Sequence, residues 1–158
     1  MRTQRIYLET TLFNYYFDTD RDAHADTVTL FKEIAAGKYE AYTSDAVVAE
    51  LMKAPAEKSA AMQALVGEYN ITNLQVTEKA ERLADVYIAK GIIPQKYRTD
   101  GVHIAVASVN NVDAIVSMNF RHIVRLRTIQ MTREVNILNG YRPIDIISPR
   151  EIIDYEEA

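Results

Sequence analysis

Four oxygen-bearing side chains, Glu9, Glu50, Asp100 and Asn119, are the residues best placed to do chemistry together. In a parallel α/β sheet, ligands bind outside the carboxyl ends of the strands, and all four can be placed at that edge. Glu9 closes the compact apolar run Ile6-Tyr7-Leu8, a candidate central strand, and Asn119 follows the short buried-strand pattern Ala114 to Ser117. Asp100 lies in the first turn of a helix that returns the chain to the foot of that second strand, so it starts at the top. Glu50 borders the apolar stripe Val47, Val48 and Leu51 of a helix that also leaves a strand end. A carboxylate so near an apolar face needs a partner or a cleft, because burying it unpaired is expensive. Three carboxylates and an amide at one edge repel each other unless a cation sits among them, and such hard oxygen donors suit Mg²⁺ or Mn²⁺. Asp113, which precedes its strand, belongs at the opposite edge.

The elements that must position these residues follow from periodicity. In the stretch TDGVHIAVASVNNVDAIVSMNFRH (99–122), Thr99 reads as an N-cap, and Val102, Ala105, Val106 and Val109 recur at helical spacing. Ile104 and Ala107 make the other side apolar too, which is the mark of a buried helix. The helix dipole is expected to keep Asp100 ionised. Asn110-Asn111 then breaks the helix.

Earlier in the chain, Leu12 to Phe17 reads as helix after a turn at Thr10-Thr11. Asp26 can cap a helix to Ala36 with Gly37 as its stop, Tyr39 to Thr43 is the second strand, and Ser44 or Asp45 begins the Glu50 helix. Glu57 to Val66 is a helix ending at Gly67, Leu74 to Val76 a third strand, and Thr77 caps a helix with Ala80, Leu83, Ala84 and Tyr87 inward, stopped at Gly91. After Asn119 the chain is irregular or weakly helical to Ile129. Met131, Val135 and Leu138 then suggest a helix closed by Asn139-Gly140, followed by a last strand at Ile144 to Ile147. Ser148-Pro149-Arg150-Glu151 carries a capping box for a short helix to about Asp154. Strands alternating with helices predict a parallel α/β sheet with helices on both faces.

Length and composition bound the rest. At 158 residues, the chain is read as one domain, 1–158. It offers neither a run of ~20 apolar residues for a membrane span nor an N-terminal signal segment, so a cytoplasmic location is expected. The absence of cysteine excludes disulfides and thiolate chemistry. With a net charge of −4 there is no global basic field for nucleic acid. The stretch 119–133, with Arg121, Arg125, Arg127 and Arg133 and no acid, is the candidate for a local one.

The pieces IYLETTLFNYYF, TSDAVVAELMKA, TDGVHIAVA, DAIVSMNFRHIV and IDIISPREII, in this order and spacing, resemble the PIN domain family of VapC-like toxins and related nucleases. The resemblance spans essentially the whole chain. It implies a single-domain, three-layer fold with about five parallel strands in the order 3-2-1-4-5. It also implies a metal-dependent RNA endonuclease, the toxin of a toxin–antitoxin pair, that cuts phosphodiester bonds with Mg²⁺ or Mn²⁺ held by Glu9, Glu50, Asp100 and Asn119. Glu9 and Asn119 both stand where the family commonly has Asp. On this reading Asp100 and Glu9 lead the metal ligands, and Glu50 binds through water or orients the attacking water. Thr11 or Ser117 positions phosphate or a ligand, His103 supports Asp100, and Arg121, His122 and Arg125 contact the RNA backbone. An antitoxin that blocks the acidic groove and a homodimer are the implied partners.

Other readings stay open. A degenerate PIN domain would bind RNA or a protein without cutting. A flavodoxin-like or nucleotide-binding module fits the strand pattern, but no glycine-rich phosphate loop follows any candidate strand. His103 can be a packed core histidine, His122 a structural hydrogen-bond partner, the arginines a solvated face, and Tyr7, Tyr15, Tyr16 and Tyr87 core and rim packing.

Overall fold

The computed structural model describes residues 2–154, which form one sheet of five parallel strands covered by helices. The strands are β1 (Gln4–Leu8), β2 (Tyr39–Ser44), β3 (Thr72–Leu74), β4 (Ala114–Val116) and β5 (Asp145–Ile147), in the order β3-β2-β1-β4-β5. β1 pairs with β2 from Gln4↔Tyr39 to Tyr7↔Tyr42 and with β4 from Ile6↔Ala114 to Leu8↔Val116. Both central strands are covered on two faces, so they read as unbroken apolar runs: Ile6, Tyr7, Leu8, Ile115 and Val116 are fully buried. The strand order reverses at β1, and the ends of β1 and β4 therefore flank the switch point where such sheets bind ligands.

The helices are α1 (Thr10–Phe17), α2 (His24–Ala35), α3 (Asp45–Leu51), α4 (Ala56–Glu68), α5 (Glu78–Ala89), α6 (Arg98–Val109) and α7 (Leu126–Leu138). In α6 every residue from Gly101 to Ser108 is buried, as its all-round apolar pattern predicts. α5 is capped by the Thr77 side chain, buries Ala80, Leu83, Ala84 and Tyr87, and stops at Gly91 with φ 74°. Gly37 and Gly140 end α2 and α7 in the same left-handed conformation, and Asn111 supplies it after α6.

Local signals miss where a tertiary bond intervenes. α2 starts at His24 rather than after Asp26, because His24 Nδ1 bonds the Tyr15 carbonyl and the Thr27 hydroxyl donates to the Ala23 carbonyl; Asp26 instead pairs with Arg150 at 3.4 Å. α6 begins at Arg98, so the exposed Thr99 is inside the helix and caps nothing. α4 runs through Gly67, and Asn70 with φ 53° makes the turn. β3 lies two residues before its expected place, anchored by buried Ile71 and paired from Tyr42↔Thr72 to Ser44↔Leu74.

α7 begins at Leu126, before the expected Met131, and Leu138 is 81% exposed. Its inward residues are Thr128, Thr132, Val135 and Asn136, and Asn136 bonds Tyr87 and Ser108. An apolar-periodicity reading cannot see a packing face that is largely polar. After β5 the capping box of Ser148 and Glu151 forms as expected, but it closes only a 3-10 turn, Pro149–Glu151, not a helix to Asp154.

Candidate active site

β1 delivers Glu9 to the C-terminal edge of the sheet, where its residue is buried and acts as N-cap of α1. Its Oε1 accepts from the Thr11 backbone N–H (3.1 Å), the Thr11 hydroxyl (2.5 Å) and the Ser117 hydroxyl (2.7 Å). The loop after β4 closes the arrangement: the Met118 N–H donates to Thr11 Oγ1 (2.8 Å) and the Asn119 N–H to Ser117 Oγ (2.9 Å). The extra methylene of a glutamate is thereby absorbed by folding the carboxylate back over the start of the helix, where free backbone N–H groups favour it.

Glu50 comes from the last turn of α3. Its Oε1 accepts from the Thr10 hydroxyl (2.7 Å) and from Nε2 of His103 (2.5 Å). Burial pushes the Glu50 carboxyl up, but the hydrogen bond and charge of His103, with Thr10 and Lys53, hold it below its ordinary value. Burial likewise opposes protonation of His103, and Glu50, Glu9 and Asp100 raise it above the ordinary histidine value. The fully buried His103 imidazole bonds Glu50 on one side and the Tyr7 hydroxyl on the other (2.7 Å), and it acts on Asp100 through its charge.

Asp100 sits half-buried in the first turn of α6, and its carboxyl is pushed up to about 6. Burial is the largest cause; the charge of His103 opposes it, the charges of Glu9 and Glu50 add to it, and a hydrogen bond from Asn119 opposes it again. The expected protection by the helix dipole fails on magnitude. That effect is worth about 0.3–1 kcal/mol, less than one pKa unit of 1.36 kcal/mol, and burial beside two like charges outweighs it.

Asn119 spends its side-chain oxygen within its own loop, accepting from the His122 N–H at 3.0 Å, and it turns its amide toward Asp100. Among the described residues, no three His, Asp or Glu side chains stand together as a formed cation cage. The donor chemistry nevertheless fits a hard divalent ion. The hydrogen bonds to Glu9 and Glu50 from the described residues all fall on Oε1, and the charges of Glu9 and Glu50, which add to the effect of burial in raising Asp100, are what a cation at this edge would offset.

Beside the acids lies a basic and aromatic rim. His122 stacks on Tyr97 with ring centroids 4.1 Å apart, and Arg121 and Lys96 lie 5.9 and 5.7 Å from the Tyr97 ring. Burial, Arg121 and Arg125 hold His122 below its ordinary value, so the stack is between neutral rings near pH 7. Arg121 and Arg125 are exposed, and Arg125 braces the loop through the Arg121 carbonyl (3.3 Å).

The structure thus brings Glu9, Glu50, Asp100, Asn119, Thr11, His103 and Ser117 to one edge, with Arg121, His122 and Arg125 in the adjoining loop. Thr11 and Ser117 hold Glu9, where sequence reading offered them to a ligand. Thr10, Tyr7, Ser44 and Tyr97 were missed. Thr10 read only as part of a turn, although two hydroxyls directly after a strand-end acid were a usable signal. An open cavity of about 520 Å³ lined by Tyr39, Glu40, Tyr42, Tyr69 and Thr72 lies at the other ends of β2 and β3, away from these groups.

No family model matches this sequence, and no curated protein is similar to it in sequence. Solved structures are similar in fold. Mycobacterium tuberculosis VapC20, a sarcin-ricin-loop-cleaving toxin, superposes with a TM-score of 0.53 at 16% identity, over 70% of this chain and 86% of that one. VapBC2 from Rickettsia felis, bound to a DNA fragment from its promoter, gives 0.55 at 15% identity over 90% and 98%. The chain has the PIN fold. The expected strand order 3-2-1-4-5 is the order observed. Glu9 follows β1 as the N-cap of α1, Glu50 and Asp100 lie in α3 and α6, and Asn119 lies in the loop after β4.

Proposed function

We propose that this protein is a metal-dependent endoribonuclease, the toxin of a toxin–antitoxin pair. The observation that carries the reading is the set of three acids at the switch point of a PIN sheet with His103 as their one close basic partner among the described residues. Among the described residues, neither lysine nor arginine forms an ion pair with Glu9, Glu50 or Asp100. The fold neighbours support it, one being a toxin that cleaves the sarcin-ricin loop and the other a two-component complex on promoter DNA.

In this reading Asp100 and Glu9 hold Mg²⁺ or Mn²⁺, and Glu50 holds it through water or orients the attacking water. When bound, the ion supplies positive charge to the scissile phosphate and makes the attacking water more acidic. Thr11 and Ser117 keep the Glu9 carboxylate in place, and Asn119 orients Asp100 through its amide. Arg121, His122 and Arg125, with Tyr97 and Lys96 beside them, bind the RNA strand, largely through its phosphates. An antitoxin covers the acidic edge, a second copy of the chain completes a homodimer, and the pair works in the cytoplasm; among the described residues no helix is long and apolar enough to cross a membrane.

Mn²⁺ titration by calorimetry, followed by RNA cleavage, tests this reading, with Asp100→Asn as the control. Binding and cleavage that both vanish in the variant are expected. A protein that binds no Mn²⁺ and leaves every RNA intact overturns it.

A second reading is favoured by the commitment of Asn119 Oδ1 to His122 and of Glu9 Oε1 to three donors. It is a PIN domain that binds RNA or a partner without cutting. There, Glu9→Asp with Asn119→Asp creates cleavage that the unmodified protein lacks, and cleavage by the unmodified protein excludes it.

A further inference from the structure

The two glutamates of the acidic edge come from distant elements, yet both are held by consecutive residues of α1. Thr10 Oγ1 donates to Glu50 Oε1 at 2.7 Å, and Thr11 Oγ1 donates to Glu9 Oε1 at 2.5 Å. Neighbouring residues of a helix point about 100° apart around its axis. One turn of α1 therefore presents two hydroxyls in two directions at a fixed separation. Thr11 is itself tied to the loop after β4 by the Met118 N–H.

On the Glu50 side a second holder completes the grip. His103 Nε2 reaches the same oxygen that Thr10 does, and the ring is fixed from behind by Tyr7, whose hydroxyl also lies 2.7 Å from Ser44 Oγ. Ser44 in turn accepts from the Ala46 N–H as N-cap of α3. The chain of bonds runs from the first residue pair of α3 through β1 and α6 and returns to Glu50 in the last turn of α3. Tyr7, Ser44 and His103 are all fully buried. In a neutral imidazole, a Tyr7 hydroxyl donating to Nδ1 leaves the proton on Nε2, facing Glu50, and a protonated ring presents the same N–H.

The geometry points to Thr10, Thr11 and the Tyr7–His103 pair as positioning residues that clamp one oxygen of each glutamate and so leave the other oxygen, with Asp100, to receive a divalent cation. This rests on the metal-dependent reading above. It assigns Thr10 and Tyr7 a task beyond packing and changes the task of His103. Partners that orient metal ligands are worth 10–100-fold in metal affinity when removed, which separates a clamp from a mere fold contact.

The test is Mn²⁺ affinity by calorimetry, measured beside thermal unfolding, for the full chain and for Thr10→Val, Thr10→Ser, His103→Leu, His103→Gln and Tyr7→Phe. Valine keeps the shape of Thr10 and removes its donor; serine and glutamine restore an N–H or O–H toward Glu50. Affinity should fall roughly 10–100-fold in Thr10→Val and His103→Leu and return most of the way in Thr10→Ser and His103→Gln, with Tyr7→Phe between them. In the metal-free protein, the His103 Nε2–H should give a hydrogen-bonded proton resonance that moves in Thr10→Val.

Folded Thr10→Val and His103→Leu proteins with unchanged Mn²⁺ affinity overturn the clamp and leave the ribonuclease reading intact. Clamp-dependent Mn²⁺ binding without cleavage of any RNA overturns the ribonuclease reading alone. A protein that binds no Mn²⁺ overturns both. Thr10, at the start of a helix, keeps the test open if His103→Leu does not fold.

Discussion

Asp113 at the N-terminal edge of the sheet is surrounded by cations, whereas Asp100 at the C-terminal edge is surrounded by other acids. Asp113 accepts from the Arg2 guanidinium (2.7 Å), the Arg5 backbone N–H (2.8 Å) and Arg142 (3.4 Å). Burial pushes its carboxyl up, but these partners more than offset that and hold it below the ordinary aspartate value. Asp100 is pushed up to about 6 by burial and by Glu9 and Glu50, with an imidazolium and an amide in partial opposition. The same side chain thus ties the structure together at one end of the sheet and is held in an unfavourable state at the other. Under the reading proposed above, a cation at the C-terminal edge would offset the charge that arginines offset at the other.

The sharpest way to break this contrast is Asp113→Ala. It leaves the half-buried Arg5 N–H without an acceptor, and about 2–3 kcal/mol of stability should be lost in urea unfolding, with Mn²⁺ affinity unchanged. A change in Mn²⁺ affinity would mean that the two edges are coupled.

Asp100→Asn should do the reverse. A carboxyl whose native pKa lies above its unfolded value lowers stability as pH rises from about 4 through 6, because the native state binds more protons there. The variant should therefore be more stable than the unmodified protein at pH 8, by on the order of 1 kcal/mol after solvent screening, and nearly equal to it at pH 4. Loss of stability at pH 8 would show that Asp100 is a structural acid after all. For Asp113 the sign is opposite, since its contribution is present at neutral pH and disappears as pH falls through the ordinary aspartate range.

Mn²⁺ binding sharpens the comparison further. Ligand carboxylates must be deprotonated to bind, so affinity should fall by up to about tenfold per pH unit below pH 6 in calorimetric titrations, whereas Asp100→Asn should bind no Mn²⁺ at any of these pH values. Flat affinity from pH 5 to 8 would remove Asp100 from the ligand set. The smallest expected effect concerns the rim. Arg121→Gln and Arg125→Gln should each flatten the dependence of log K on log salt for single-stranded RNA by about 0.7, and an unaltered slope would make these arginines a solvated face.

Much of this was legible in order along the chain. The strands β1, β2 and β4, the glycine stops at Gly37, Gly91 and Gly140, the Thr77 cap and the capping box of Ser148 are all local, and they were read within a residue or two. What escaped was nonlocal. The start of α2 depends on a bond from His24 to the Tyr15 carbonyl, and α7 buries threonines and Asn136, which bonds Tyr87 from 49 residues away. The four candidate positions rest on strand ends and on a family resemblance. Their partners were not legible, because Ser117 reaches Glu9 across 108 residues and His103 reaches Glu50 across 53.

By itself, then, the sequence determined which segments are strands and helices and at which edge of the sheet each acid must emerge, because periodicity and alternation act over a few residues. The tertiary structure alone decided what each acid touches. Thr11 and Ser117 go to Glu9, Thr10 and His103 go to Glu50, Asn119 turns its oxygen away, and Asp100 is left among like charges. Hydrogen bonds of a few ångströms and the desolvation of a buried carboxyl depend on distances that only the packed chain defines.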